Sequence, residues 1–166
     1  MPLSTNISFQ ATGKQTAALD LGTGSVPFSL SQEMALTDGT TAGKADRVFA
    51  DTRQLTASAT ENLDLAGALS DFYGATLTFV TVKAIIVRAA ATNTNDVQVT
   101  RPAANGVPFL MAASDGIALK PGAVFAWFMS GVGVTVTPGT GDLITVTNSA
   151  GGTSVSYDVL IIGTSA

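Results

Sequence analysis

Turn-forming residues interrupt this chain at intervals of roughly 8 to 12 residues, too often for helices of ordinary length, and between them apolar residues fall on alternate positions. TDGTTAGKAD, TNTND, PAANGVP, PGTG and NSAGG are the interruptions. Asp-Gly, Asn-Gly and Pro-Gly text of this kind turns the backbone instead of continuing an element. Phe28, Leu30, Met34 and Leu36 share one parity, with Ser29, Ser31, Glu33 and Ala35 on the other. Val155, Tyr157, Val159 and Ile161 likewise alternate with Ser154, Ser156 and Asp158. Period-two alternation marks strands with one face in a core.

Thr76 to Ala90 (TLTFVTVKAIIVRAA) is β-branched almost throughout and apolar on both parities near Ile85, Ile86 and Val87, which predicts a central strand covered on both faces. DVQVTR reads as the strand returning from it. AVFAWFM, with the sole tryptophan, Trp127, reads as a short strand buried or bound on both sides. VGVTVT, LITVT and TSVSYDVLIIG read as a β-meander. Asn62 to Leu65 reads as a short strand, and Gly67 to Tyr73 as a helical turn capped by Gly74. RVFADTRQLTA fits a strand or a helical turn. Residues 1–27 are Gly-, Thr- and Ala-rich with weak periodicity, and fit an N-terminal arm or edge strand. The expected fold is all-β: a single antiparallel β-sandwich over residues 28–166, jelly-roll or β-tulip-like, with an extended N-terminal arm.

The chemistry available to such a chain is narrow. It contains no His and no Cys, which removes imidazole acid-base catalysis, Ser-His-Asp and Cys-His systems, disulfides and the usual zinc ligand sets. Of its carboxylates, Glu61 with Asp64 and Asp46 with Asp51 are closest in sequence, but no aromatic text flanks them as a glycosidase cleft would require. Thr92 to Asp96 and Thr37 to Thr41 offer oxygen ligands for calcium without the spacing of a calcium loop, so both read as Asx-type turns. The glycine-rich stretches 22–27, 131–134 and 139–141 precede strands, whereas a phosphate loop precedes a helix. No catalytic, cofactor-binding or metal-binding residue is therefore predicted. Lys83 and Arg88 sit inside an apolar strand and require either a solvated face or an acidic partner such as Asp158 or Asp96.

Only 12% of residues are charged, against about 25% in an average domain, while 46% are hydrophobic. Small neutral polar residues must then cover the surface, which suits packing against protein. The net charge is −4 and the eight basic residues are scattered, so no nucleic-acid partner is expected. The first residues, MPLSTNISFQ, lack the pattern of a secretory signal, and no apolar run reaches membrane-spanning length. Synthesis in a cytoplasm, without a membrane partner, is the expectation.

LDLAGALSDFYGATLTFVTVKAIIVRAAATNTNDVQV, GVPFLMAASDGIALKPGAVFAWF and GTGDLITVTNSAGGTSVSYDVLIIGTSA resemble small virion proteins of tailed bacteriophages and prophages, over roughly residues 60–166. Proteins of this kind are often capsid decoration, or cement, proteins. The resemblance implies a non-enzymatic β-sandwich or β-tulip subunit, a homodimer or homotrimer, bound to the major capsid protein on the outside of the virion and made in the bacterial host cytoplasm. A phage tail or head-fibre subunit is the structural alternative. A carbohydrate-binding module, with Trp127 and Tyr73 as stacking platforms, is the alternative of another class.

Overall fold

The computed structural model describes residues 2–166, and among these it contains strands and turns but no helix. The strands are β1 (Thr5–Leu19), β2 (Gly22–Asp38), β3 (Lys44–Ala45), β4 (Arg47–Leu55), β5 (Thr60–Asp64), β6 (Leu69–Ser70), β7 (Thr76–Leu77), β8 (Thr81–Ala89), β9 (Val97–Thr100), β10 (Gly116–Leu119), β11 (Val124–Phe128), β12 (Val134–Thr135), β13 (Leu143–Asn148) and β14 (Val155–Thr164). The body is an antiparallel β-sandwich. One sheet has the order β10-β9-β13-β5; the other has the order β11-β8-β14-β4, with β12 continuing the β11 edge of β8.

The alternation read from the sequence builds the core between these sheets. Ile85 and Val87 of β8 and Val155, Tyr157, Val159 and Ile161 of β14 meet Leu63, Val97, Val99, Ile144 and Val146 from the opposite sheet. Each such side chain, taken out of water, contributes about 1.5–3 kcal/mol. The sheets are also tied at one edge. Arg53 on β4 donates from Nε to Glu61 Oε2 on β5 at 2.9 Å, and the buried Tyr157 hydroxyl on β14 donates to Glu61 Oε1 at 2.7 Å.

Several local expectations are corrected. Gly67 to Tyr73 is not helical: Leu69 and Ser70 pair with Thr76 and Leu77, and the Asp71 carboxylate accepts the N–H groups of Tyr73 and Ala75 to make a turn, with Gly74 at φ 81°. Thr76 to Ala90 is two strands, because Phe79 N–H turns to the Leu65 carbonyl and Val80 N–H to that of Thr164. RVFADTRQLTA is strand β4. The three C-terminal strands do not form a meander; β12 and β14 pair with β8, whereas β13 pairs with β5 and β9 in the other sheet. The DVQVTR strand, β9, also crosses to that other sheet. AVFAWFM lies on the edge of its sheet, with Val124 and Ala126 exposed, Ala123, Phe125 and Trp127 packed on the core and Phe128 on the arm base.

The N-terminal arm is a long hairpin. β1 and β2 pair residue for residue from Thr5↔Leu36 to Leu19↔Gly22, joined by Asp20 and Leu21. The division expected at residues 27 and 28 falls inside β2, because residues 22–38 form one continuous strand. Cover, more than sequence position, separates the arm from the body. At its base Ile7, Met34 and Leu36 are buried with Ala45, Ala84 and Ile162 on the outer face of the β8 and β14 sheet. Beyond that base both strands project.

Candidate functional site

Residues opposite one another in an antiparallel ribbon point to the same side. One face of the arm therefore carries Ile7 with Met34, Phe9 with Gln32, Ala11 with Leu30, Gly13 with Phe28, Gln15 with Val26, and Leu19 with Gly22. The other carries Ser8, Gln10, Thr12, Lys14, Thr16, Ser25, Ser29, Ser31 and Glu33, mostly polar, with Ala18, Pro27 and Ala35 the apolar members. The apolar face is covered at Ile7 and Met34 and open beyond them: Phe28 is 60%, Leu30 64% and Val26 68% exposed, with Phe9, Leu19 and Leu21 also exposed. The Phe28 ring lies over Gly13, where a Cβ would collide with it. From Phe9 to Leu19 the open face runs for roughly 35 Å at about 3.4 Å per residue. A contiguous exposed apolar strip of that length marks an interaction surface. An unsupported two-stranded ribbon is also only marginally stable in water, so the arm gains from a partner.

A second open apolar surface lies on the body. The outer face of the five-stranded sheet continues past the arm base as Ile86, Leu160, Ala50, Ala126 and Val124, in a shallow depression bordered by Arg88 and Asp158. Arg88 Nε donates to Asp158 Oδ2 at 2.8 Å, and Thr52 Oγ1 donates to Asp158 Oδ1 at 2.7 Å. The Thr52 hydrogen bond, and then Arg88, hold the Asp158 carboxyl below the usual carboxylate range. Arg88 and Asp158 thus neutralise each other, and Asp51 at the rim pairs with Arg53, leaving an apolar centre.

The expected pairing of Arg88 with Asp158 is present, but Asp96 pairs with Lys120 at 2.7 Å, and among the described residues Lys83 is bonded to main-chain carbonyls and to no acid. Lys83 is fully buried. Gly163 is opposite Val82 and Ile162 opposite Ala84, so Lys83 is the extra residue of a bulge. The bulge aims its ammonium at the loop behind the arm, where Nζ donates to the carbonyls of Thr41 at 2.5 Å and Lys44 at 2.6 Å. Sequence reasoning missed this role because the partners are main-chain oxygens far away along the chain.

The sequence-level acid pairs do not converge on a cleft. Glu61 is engaged by Arg53 and Tyr157; Asp64 caps a turn by accepting Ala66 N–H; Asp46 accepts the N–H and the hydroxyl of Ser165; and Asp51 pairs with Arg53. Among the described residues no group of three or more acids is placed to hold a metal ion. The TNTND loop is stitched to the β13–β14 connection, with Asn95 Nδ2 donating to the carbonyls of Ala150 and Thr153 and Asn93 bonding Ser156 in both directions. In TDGTT, Asp38 accepts Leu3 N–H. Trp127 is half-buried against the core, whereas Tyr73 is exposed beside Phe72 at a separate hollow of about 540 Å³ that Trp127 does not line. The two rings do not form one stacking platform.

Burial, and next the hydrogen bond to Glu61, push the Tyr157 phenol above its ordinary value of 10.0. A pKa raised on folding contributes stability that is complete below the unfolded value and is lost as pH climbs past it. Stability should therefore fall above about pH 10, and Tyr157→Phe should flatten that limb. In a Tyr73→Phe background, where Tyr157 is the one remaining tyrosine, phenolate absorbance should rise only together with loss of the strand circular dichroism signal. A phenolate that forms while the sheets are intact would contradict this.

Comparison with models of protein families, with curated proteins and with solved structures finds no match.

Proposed function

We propose that the protein is a structural subunit of a virion, a decoration protein that binds the outside of the major capsid lattice as a homo-oligomer and staples neighbouring capsomers. The projecting arm with its open apolar face carries this reading. Stapling adds buried interface across a boundary between units, and that needs a firm body joined to an element that reaches beyond it. The body supplies well-packed paired sheets and a surface with few charges, and the arm supplies reach. Several weak contacts per oligomer become durable attachment when they engage together. The resemblance of residues 60–166 to small virion proteins of tailed phages points the same way, and no step of the function asks a side chain to do chemistry.

The test is rebinding. Particles lacking the protein should take up the purified chain at micromolar concentration and then rupture at a higher temperature. Hundreds of copies spread over the head are expected; a few copies at defined vertices would assign a fibre or tail position instead. No binding would overturn the shell reading. A variant carrying Phe28→Asp and Leu30→Asp should retain the strand signal and lose the protection.

A further inference from the structure

The arm poses a matching problem that the body already solves once. At its base, Ile7, Met34 and Leu36 lie on the outer sheet face against Ala84 and Ile162, with Val48, Ile86, Phe128 and Leu160 around them. The same apolar face of the ribbon then continues outward in water, and the same face of the sheet continues past the base as the half-buried Ile86, Leu160 and Ala50 and the exposed Ala126 and Val124. The two surfaces are alike in chemistry. The open arm face from Phe9 to Leu19 and from Gly22 to Gln32 bears no formal charge, and the strip's Arg88 and Asp158 are paired with each other.

We infer that the arm of one copy lies on the outer sheet face of a second copy, its Phe9, Val26, Phe28 and Leu30 covering Ile86, Ala126, Val124 and Leu160 there, each copy giving one arm and receiving one. Size supports reciprocity. The four contacting side chains lie between Phe9 and the Gln15 and Val26 pair, about 20 Å of ribbon at about 3.4 Å per residue. One such patch falls well below a stable interface, and exchange doubles it, so that two arms approach the low end of the range that one cannot reach. Exchange also explains the composition of the arm. Its outer face is mostly polar and suited to water, and its inner face repeats the residues that hold its own base.

This deepens the homo-oligomer part of the shell reading and rests on that part alone, so the closing experiment uses the purified full chain without particles. Sedimentation and light scattering should give a multiple of the 16.8 kDa chain mass. Phe28→Asp with Leu30→Asp on the arm, and separately Val124→Asp on the strip, should each weaken association by roughly 100-fold or more with the strand signal intact. The chain has no cysteine, so single thiols can be placed freely. Mixing a Leu30→Cys variant with an Ala126→Cys variant and a short thiol-reactive linker should give a mixed dimer. A monomeric wild type at 100 µM overturns the inference, as does an oligomer indifferent to Val124→Asp, or a Leu30→Cys product linked only to itself, which would place arm upon arm. A monomer that still protects particles would sink arm exchange and leave the shell reading; an exchanged oligomer that binds no particle would do the reverse.

Discussion

Replacing Lys83 by methionine should lower stability by about 1–3 kcal/mol, read as a shift of the denaturant midpoint with little change in slope. Methionine fills much the same space, so the loss comes from the ammonium. The Lys44 carbonyl would lose its side-chain donor, and the Thr41 carbonyl would keep only the N–H of Lys44. The loop they belong to follows β2, and Thr37 N–H and Gly39 N–H bond across it to Gly43 and Ala45. Amide exchange at those positions should accelerate ahead of exchange in the sandwich core. Burial holds the Lys83 pKa below its ordinary 10.5. Between the lowered folded value and 10.5 the unfolded chain binds more protons than the folded one, so this group makes stability rise with pH across that window. Lys83→Met should remove that slope. A variant as stable as the parent, with unchanged exchange at the arm base, would show that the ammonium does not hold the loop.

Gly163→Ala should be the costliest single methyl in the molecule, at about 3 kcal/mol or more. Gly163 lies beside the Lys83 bulge, where a Cβ would run into the Thr81 carbonyl oxygen and the Phe79 ring. The oxygen belongs to the strand that pairs with Gly163, so relief would require β8 and β14 to separate. Gly131→Ala provides the comparison, since a Cβ there meets nothing within 4 Å. Thermal melting should distinguish the two, with Gly131→Ala close to the parent. Equal effects would mean that the close approach of β8 and β14 is not a constraint on the fold.

The strand text was readable wherever one face meets the core. In β14, Val155, Tyr157, Val159 and Ile161 are buried on the parity their spacing indicates, and β9 and β13 likewise occupy stretches that alternate, whereas β4, with Val48, Phe49 and Ala50 in a row, was equally open to a helical turn. What alternation cannot convey is who covers a face. Phe28, Leu30, Met34 and Leu36 share a parity and look equivalent in sequence, yet Met34 and Leu36 are buried while Phe28 and Leu30 stand in water. Periodicity reports that a side is apolar, and only the three-dimensional path of the hairpin decides where the body stops. The first strand of that hairpin was harder to see because Gly13, Gln15 and Ala17 interrupt its apolar row, and the row becomes continuous only when Phe28 and Val26 are set opposite. Pairing was equally hidden. Consecutive strands β12, β13 and β14 look like a meander, but their turns carry no information about which sheet the next strand joins. Lys83 shows the same limit in one residue: an acid was the natural partner to seek, and a bulge gave it carbonyls instead.

The position of β14 between β4 and β8 bears on how the chain is made. Gln54 and Ser154 are 100 residues apart and meet across that sheet. Until the segment ending at Thr164 has been synthesised, β4 and β8 each lack a neighbour they will share. Once β8 has been made, the nascent chain carries two unpaired strand edges until β14 follows, which makes closure slow and leaves time for wrong pairings between chains on one messenger. Chains made at raised temperature, or from a message read by crowded ribosomes, should be lost to aggregation before any folded copy is lost to melting.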